Sequence, residues 1–131
     1  MRLEDLARRA FDTASVRGAH YADIRFENVR NERIEVRNGV VASLADARST
    51  GYGVRALVDG AWGFAASSDL TDAGIDTCTA RAVAIARASA SIARSRFGEA
   101  PHRAYIDSFE TPLARDPQQV PLGERVALLL E

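Results

Sequence analysis

The apolar residues of this chain change period twice, from helical to alternating and back. Leu3, Leu6, Ala7, Ala10, Phe11 and Ala14 recur three and four residues apart. That spacing makes one stripe on a helix of about four turns. Arg8, Arg9 and Asp12 lie off the stripe, and Gly18 is placed to close the helix as a left-handed cap. From residue 22 the period becomes two: Ala22, Ile24 and Phe26 alternate with Asp23, Arg25 and Glu27. This predicts a strand with one wet face. Asn28 to Glu32 is polar, and reads as a bulge, a bend or a short break. Ile34 and Val36 then resume the alternation up to Asn38-Gly39, a hairpin signal. Two loops are open there. A two-residue turn pairs Val36 with Val41 and Ile34 with Ser43. A three-residue loop over Arg37-Asn38-Gly39 pairs Val36 with Val40 and Ile34 with Ala42. The second keeps Val40, Ala42 and Leu44 on the apolar face and is the register expected.

The centre of the pattern is Gly51-Tyr52-Gly53-Val54-Arg55-Ala56-Leu57-Val58-Asp59-Gly60-Ala61-Trp62-Gly63-Phe64-Ala65-Ala66. Two apolar runs flank Asp59-Gly60, a second hairpin signal. A three-residue loop over Val58-Asp59-Gly60 sets Ala56 opposite Trp62 and Val54 opposite Phe64. That register gathers the large side chains, so Trp62 is expected to be buried with Phe64 and Val54, with Gly53, Gly63, Ala61 and Ala65 on the other face. Glycine within a strand is unfavourable unless a backbone or ligand comes close, and the plain reading is a helix packed tightly on the sheet. Ala45 to Thr50, by contrast, is small, polar and expected to be exposed.

Ser67-Ser68-Asp69 and Thr71-Asp72 offer caps for a second helix. Ile75, Cys78, Ala82, Ile85, Ser89 and Ile92 follow at helical spacing on an Ala-rich segment. Arg81, Arg87, Arg94 and Arg96 gather toward its C-terminal end, where they suit the helix dipole. Gly98 and Pro101 stop it. Ala104-Tyr105-Ile106 reads as a short fourth strand. Asp107 to Pro121 holds three of the four prolines and no period, which marks a linker or wrapped arm. A last helix opens after Pro121 and has run only a turn or two by Glu131, which reads as the start of a truncated parent. The fold class is therefore α+β: a twisted, mostly antiparallel meander of three to four strands with two helices packed on one side. Residues 1–106 are read as one domain, and 107–131 as the arm and the start of a helix leading to a C-terminal domain. The sheet should keep an open edge, since nothing in the pattern suggests barrel closure.

Composition narrows the function classes. The 131 residues carry a net charge of −1, so there is no electrostatic footprint for nucleic acid or an anionic membrane. All 17 basic residues are Arg, and they alternate with Asp and Glu as on a solvated surface. One Cys excludes an internal disulfide and fits a reducing compartment. No apolar run is long enough to span a bilayer, and no signal peptide opens the chain, so the reading is cytoplasmic.

Candidate chemistry is sparse. His20 and His102 have no second ligand at helical spacing, whereas a zinc site needs three or four ligands in fixed geometry. Cys78 falls on the apolar stripe of its helix and reads as a small core hydrophobe. Asp23, Glu27, Glu32 and Glu35 are interleaved with Arg on a polar strand face. There is no Gly-x-Ser-x-Gly, no phosphate loop and no dinucleotide fingerprint. These residues assign no catalytic, metal or cofactor-binding side chain.

The ordered set Tyr21-Ala22-Asp23-Ile24-Arg25-Phe26, Glu35-Val36-Arg37-Asn38-Gly39, Gly51-Tyr52-Gly53-Val54-Arg55 and Asp59-Gly60-Ala61-Trp62-Gly63-Phe64-Ala65 resembles the N-terminal domain of the TldD/PmbA family, also called modulators of DNA gyrase. Arg81-Ala82-Val83-Ala84-Ile85-Ala86 and the segment from Asp116-Pro117 to Val120-Pro121-Leu122 fit the same family, and Gly63-Phe64-Ala65 looks more TldD-like than PmbA-like. Gln118-Gln119 departs from the apolar residue expected after Asp-Pro. The resemblance implies a zinc metalloprotease component whose catalytic module, with a His-Glu-x-x-x-His helix and a later Cys, lies C-terminal to this domain. No residue here matches that motif, so no catalytic or zinc-ligand role is carried over and the chain alone should be inactive. The family further implies homo- or heterodimers, peptide substrates held in a cleft as an added strand, and peptide-toxin processing without DNA binding. Within this chain, Arg55, Gly63 and Arg25 are the residues read as facing a peptide or partner. The alternative is a stand-alone binding or scaffold module with no enzymatic parent.

Overall fold

The computed structural model describes residues 2–98 and 103–131. Helix α1 spans Leu3–Val16, strand β1 Tyr21–Arg37, strand β2 Val40–Val58, strand β3 Ala61–Ser67 and helix α2 Asp72–Ile92. A short 3-10 turn, Pro117–Gln119, precedes helix α3, Leu122–Leu130. The sheet has three strands in the order β1-β2-β3, with β3 antiparallel to β2. The α+β meander expected from the pattern is thus present. Ala104-Tyr105-Ile106 is not a strand: it has no ladder partner, and Tyr105 and Ile106 are 79% and 82% exposed. Both outer strands keep a free side, since no further strand joins the sheet among the described residues.

Both hairpins close with two residues, not three. Asn38 and Gly39 have φ of 52° and 72°, and Asp59 and Gly60 have φ of 48° and 76°. Two successive left-handed residues make the turn whose twist matches that of the flanking strands, and Asn or Asp before Gly tolerates it best. At the second hairpin Val58 consequently pairs with Ala61, Leu57 with Trp62, Ala56 with Gly63 and Arg55 with Phe64. The expected pairing of Ala56 with Trp62 and Val54 with Phe64 is off by one. Because side chains alternate, that single step sends Trp62 and Phe64 to the face opposite Val54. The polar stretch Asn28 to Glu32 makes no break, and β1 runs through it unbroken.

The chain divides into two compact units. Residues 2–29 and 49–98 form the first, and residues 30–48 and 103–131 the second. The first holds the core. Leu6, Ala10 and Ala14 of α1 meet Tyr52, Val54, Ala56, Val58 and Ala65 of the sheet and Ile75, Cys78, Ala82, Val83 and Ala86 of α2. Ala22, Ile24 and Phe26 pack against this cluster from β1. The stripe on α2 is rotated from the one expected: Thr79, Val83 and Ala86 are buried, whereas Ile85 and Ile92 are 39% and 82% exposed. Small residues let α2 come down on β3. A Cβ built on Gly63 would lie 2.1 Å from the Ala82 carbonyl oxygen and 2.4 Å from the Ala86 nitrogen, so only glycine fits there.

Caps and ion pairs complete this unit. Past Val16, the N–H groups of Gly18 and Ala19 donate to the carbonyls of Ser15 and Ala14, the double bond of a Schellman end. The Thr71 hydroxyl accepts from the Gly74 N–H and caps α2. No basic residue falls in the last turn of α2: Arg94 and Arg96 lie beyond it. Arg96 instead donates to the Asp59 carbonyl in the second hairpin. Arg9 of α1 grips Asp76 of α2 with Nε at 2.9 Å and Nη2 at 2.5 Å, and the Thr13 hydroxyl donates to the same carboxylate at 2.8 Å. The second unit is described by the hairpin end, the 3-10 turn and α3. Arg30 pairs with Asp46 at 2.7 Å and donates to Gln118, and Arg125 of α3 pairs with Glu32.

Candidate functional site

With both helices on one face of the first unit's sheet, the other face stays open. Alternation puts Tyr21, Asp23, Arg25 and Glu27 of β1 there, together with Gly53, Arg55 and Leu57 of β2 and Trp62 and Phe64 of β3. The Arg55 guanidinium is the hub. It donates to Asp23 from Nε at 3.0 Å and from Nη2 at 2.5 Å. Its carbon lies 5.3 Å from the centre of the Trp62 ring, a cation–π distance. Tyr21 meets Trp62 edge-on, with ring centroids 5.6 Å apart and planes at 82°, and its hydroxyl donates to Asp23 at 3.1 Å. Four side chains from three strands therefore hold one another in place.

Beside this cluster lies a groove of about 520 Å³, walled by Asp23, Arg25, Glu27, Arg55, Phe64 and the backbone around Gly51 and Gly53. Glycines keep its floor low. The Phe64 ring leans over Gly53, where a Cβ would meet ring atoms at 2.7 and 2.9 Å, and Phe64 is 57% exposed. Such a surface offers both charge signs, an exposed aromatic ring and bare strand backbone, which suits an extended chain better than a compact small molecule.

Of the three residues read as facing a partner, Arg25 and Arg55 are brought together on this groove. Gly63 is not: it is buried under α2 on the opposite face, because the turn shifts the register. The pattern missed Tyr21 and Trp62 as members of this face. Their signal was the Asp-Gly turn itself, which fixes the face of every residue in β3 once its length is known. Asp23 was seen only as part of a solvated row, and its pairing with Arg55 depends on the sheet.

Residues 22–86 match the profile of PmbA/TldA metallopeptidase domain 1. This chain belongs to the TldD/PmbA family. A metalloprotease of Methanocaldococcus jannaschii is 22% identical over 111 residues, which cover 85% of this chain and 25% of that protein. The crystal structure of TldE from Thermococcus kodakarensis superposes with a TM-score of 0.54 at 13% identity, over 87% of this chain and 22% of that one. The chain thus spans about a quarter of the length of the curated relative it matches.

A family of metallopeptidases raises the question of where a metal would sit in a TldD/PmbA first domain. Among the described residues no group of three or more His, Cys, Asp or Glu side chains is placed to hold one. His20 is solvent-exposed, with Nε2 3.5 Å from Asp59. Cys78 is buried in the core, where loss of solvent pushes its thiol pKa up and away from the reactive thiolate. His102 lies outside the described residues. The carboxylates of β1 are occupied by arginines: Asp23 by Arg55, Glu32 by Arg125, and Glu35 by Arg33 and Arg37. The described residues do not fit a catalytic metal centre. Among the described residues, too, no helix is long and apolar enough to cross a membrane.

Proposed function

We propose that this chain is the non-catalytic N-terminal domain of a TldD-type zinc metalloprotease acting on small peptides. Its open sheet face lines the substrate cleft, with Arg25, Arg55 and the exposed Phe64 toward the peptide. Residues 107–131 lead into a C-terminal domain that supplies the zinc ligands, and the assembled protein pairs with a family member in the cytoplasm. The observation that carries this reading is the match of residues 22–86 to a metallopeptidase first domain, in a chain whose likeness to a curated relative covers a quarter of that protein. The described residues, which hold no metal-binding cluster, are consistent with chemistry housed elsewhere.

A catalytic zinc needs about three protein ligands, an open water position and a nearby base. The purified 131-residue chain, dialysed against a weak chelator, is therefore expected to hold well below one zinc per chain and to cleave peptides at background rate. Stoichiometric zinc that survives dialysis, or cleavage that stops with chelator and returns with zinc, would overturn this reading.

A further inference from the structure

The second unit has secondary structure without a core. None of its described residues is fully buried. Its aliphatic side chains face solvent: Val40, Val41 and Leu44 on the hairpin are 63%, 44% and 50% exposed, and Leu128, Leu129 and Leu130 at the end of α3 are 70%, 49% and 42% exposed. Its bonds are polar ones, Arg30 with Asp46 and Gln118, and Arg125 with Glu32. A two-stranded ribbon is marginal in water, and a nine-residue helix is too short to persist on its own. The Arg30–Asp46 pair is partly solvent-exposed and adds little, whereas the Arg125–Glu32 pair is mostly shielded and ties α3 to β1.

We infer that these exposed aliphatic side chains are covered by the polypeptide that follows α3 in the full-length protein. The inference rests on the reading just proposed and adds which residues bind the next domain. The matched profile is a first domain, and this chain covers 25% and 22% of the two longer proteins it resembles, so most of their length lies outside the matched region. Helix α3 ends at Leu130, within the exposed aliphatic set. A polypeptide continuing from there begins beside Leu128, Leu129 and Leu130, and its effective concentration at neighbouring side chains is in the millimolar range for a short connection. The occupant presents apolar side chains to Val40, Leu44 and Leu128.

Amide hydrogen exchange, read by mass spectrometry on the 131-residue chain and on the full-length product of its gene, tests this. In the short chain, residues 30–48 and 122–130 should exchange fast. In the long one they should slow at least tenfold, while Tyr52–Val58 changes little. Leu128→Asp with Leu130→Asp in the long chain should return fast exchange to residues 30–48 alone. Equal exchange of residues 30–48 in both wild-type chains would overturn the inference and leave the proposed function standing. Slowing that instead appears in the short chain as its concentration rises would make a second copy the occupant, and would also overturn it. A reading frame that stops at Glu131 would overturn both proposals at once.

Discussion

Glycine at residue 63 and tryptophan at residue 62 play opposite parts, although they are neighbours. Gly63 faces α2, where backbone atoms of Ala82 and Ala86 leave no room for a methyl group. Backbone cannot move aside as a side-chain tip can, so Gly63→Ala is expected to cost about 3 kcal/mol, at the upper end of overpacking, with a matching fall in the thermal midpoint. Gly53→Ala meets only the tip of the Phe64 ring, which can swing outward, and should cost under about 1 kcal/mol. Trp62 stands on the open face, partly exposed, against Tyr21 and Arg55. Trp62→Ala forfeits one aromatic pair and one cation–π contact, together about 1–2 kcal/mol, well short of the cost of emptying a core site. Denaturant unfolding of the three variants should rank them Gly63→Ala, Trp62→Ala, Gly53→Ala from most to least destabilised. Trp62→Ala as damaging as Gly63→Ala would place the tryptophan in the core after all.

At the scale of elements, α1 is tied to α2 by the grip of Arg9 and Thr13 on Asp76. The hydrogen bond from Arg9 holds the Asp76 carboxyl below its ordinary value of 3.8. A carboxyl whose pKa is lowered in the folded state contributes stability above its unfolded value and loses it as pH falls through the folded one. Asp46, bonded to Arg30, and Asp69, bonded to Thr71, are shifted the same way, so the protein should lose stability in acid, from near pH 4 downward. Asp76→Asn should lower stability at neutral pH by about 1 kcal/mol, the range of a partly exposed pair. Its deficit relative to wild type should shrink as the pH falls from 3.8 through the lowered folded value, below which both carry a neutral group. Urea titrations at pH 7 and pH 3 measure this directly, and a deficit that stays constant between them would remove the ion pair as its cause. The helices themselves were legible as period and caps: α1 ends at its Gly18 signal and α2 starts at Thr71. The stripe of α2 was not fully legible. On an Ala-rich helix many residues are small enough to be buried, and contact with β3 and α1 chooses among them.

At the scale of the molecule, burial is uneven: among the described residues the first unit carries every fully buried one, and the second carries none. Opening free energy follows local burial, so protease access should too. Trypsin is expected to cut first after Arg37, Arg48, Arg103 and Arg115, and only later after Arg55 and Arg81, as mass spectrometry of timed digests would show. Early cleavage at Arg55 would mean that the sheet's centre opens as readily as its end. The sequence by itself determined the α+β class, the order of α1, the three strands and α2, the positions of both turns and the family, because periodicity, caps and Asn-Gly or Asp-Gly signals are local in the chain. It left undecided which side of the sheet each residue of β3 would occupy. That follows from turn length, and a two-residue left-handed turn won because its twist matches the strands. The gathering of Asp23, Arg55, Tyr21 and Trp62, the burial of Gly63 and the absence of a strand at 104–106 are decisions of the tertiary structure. They depend on partners distant along the chain, and no local pattern encodes which distant residue will be there.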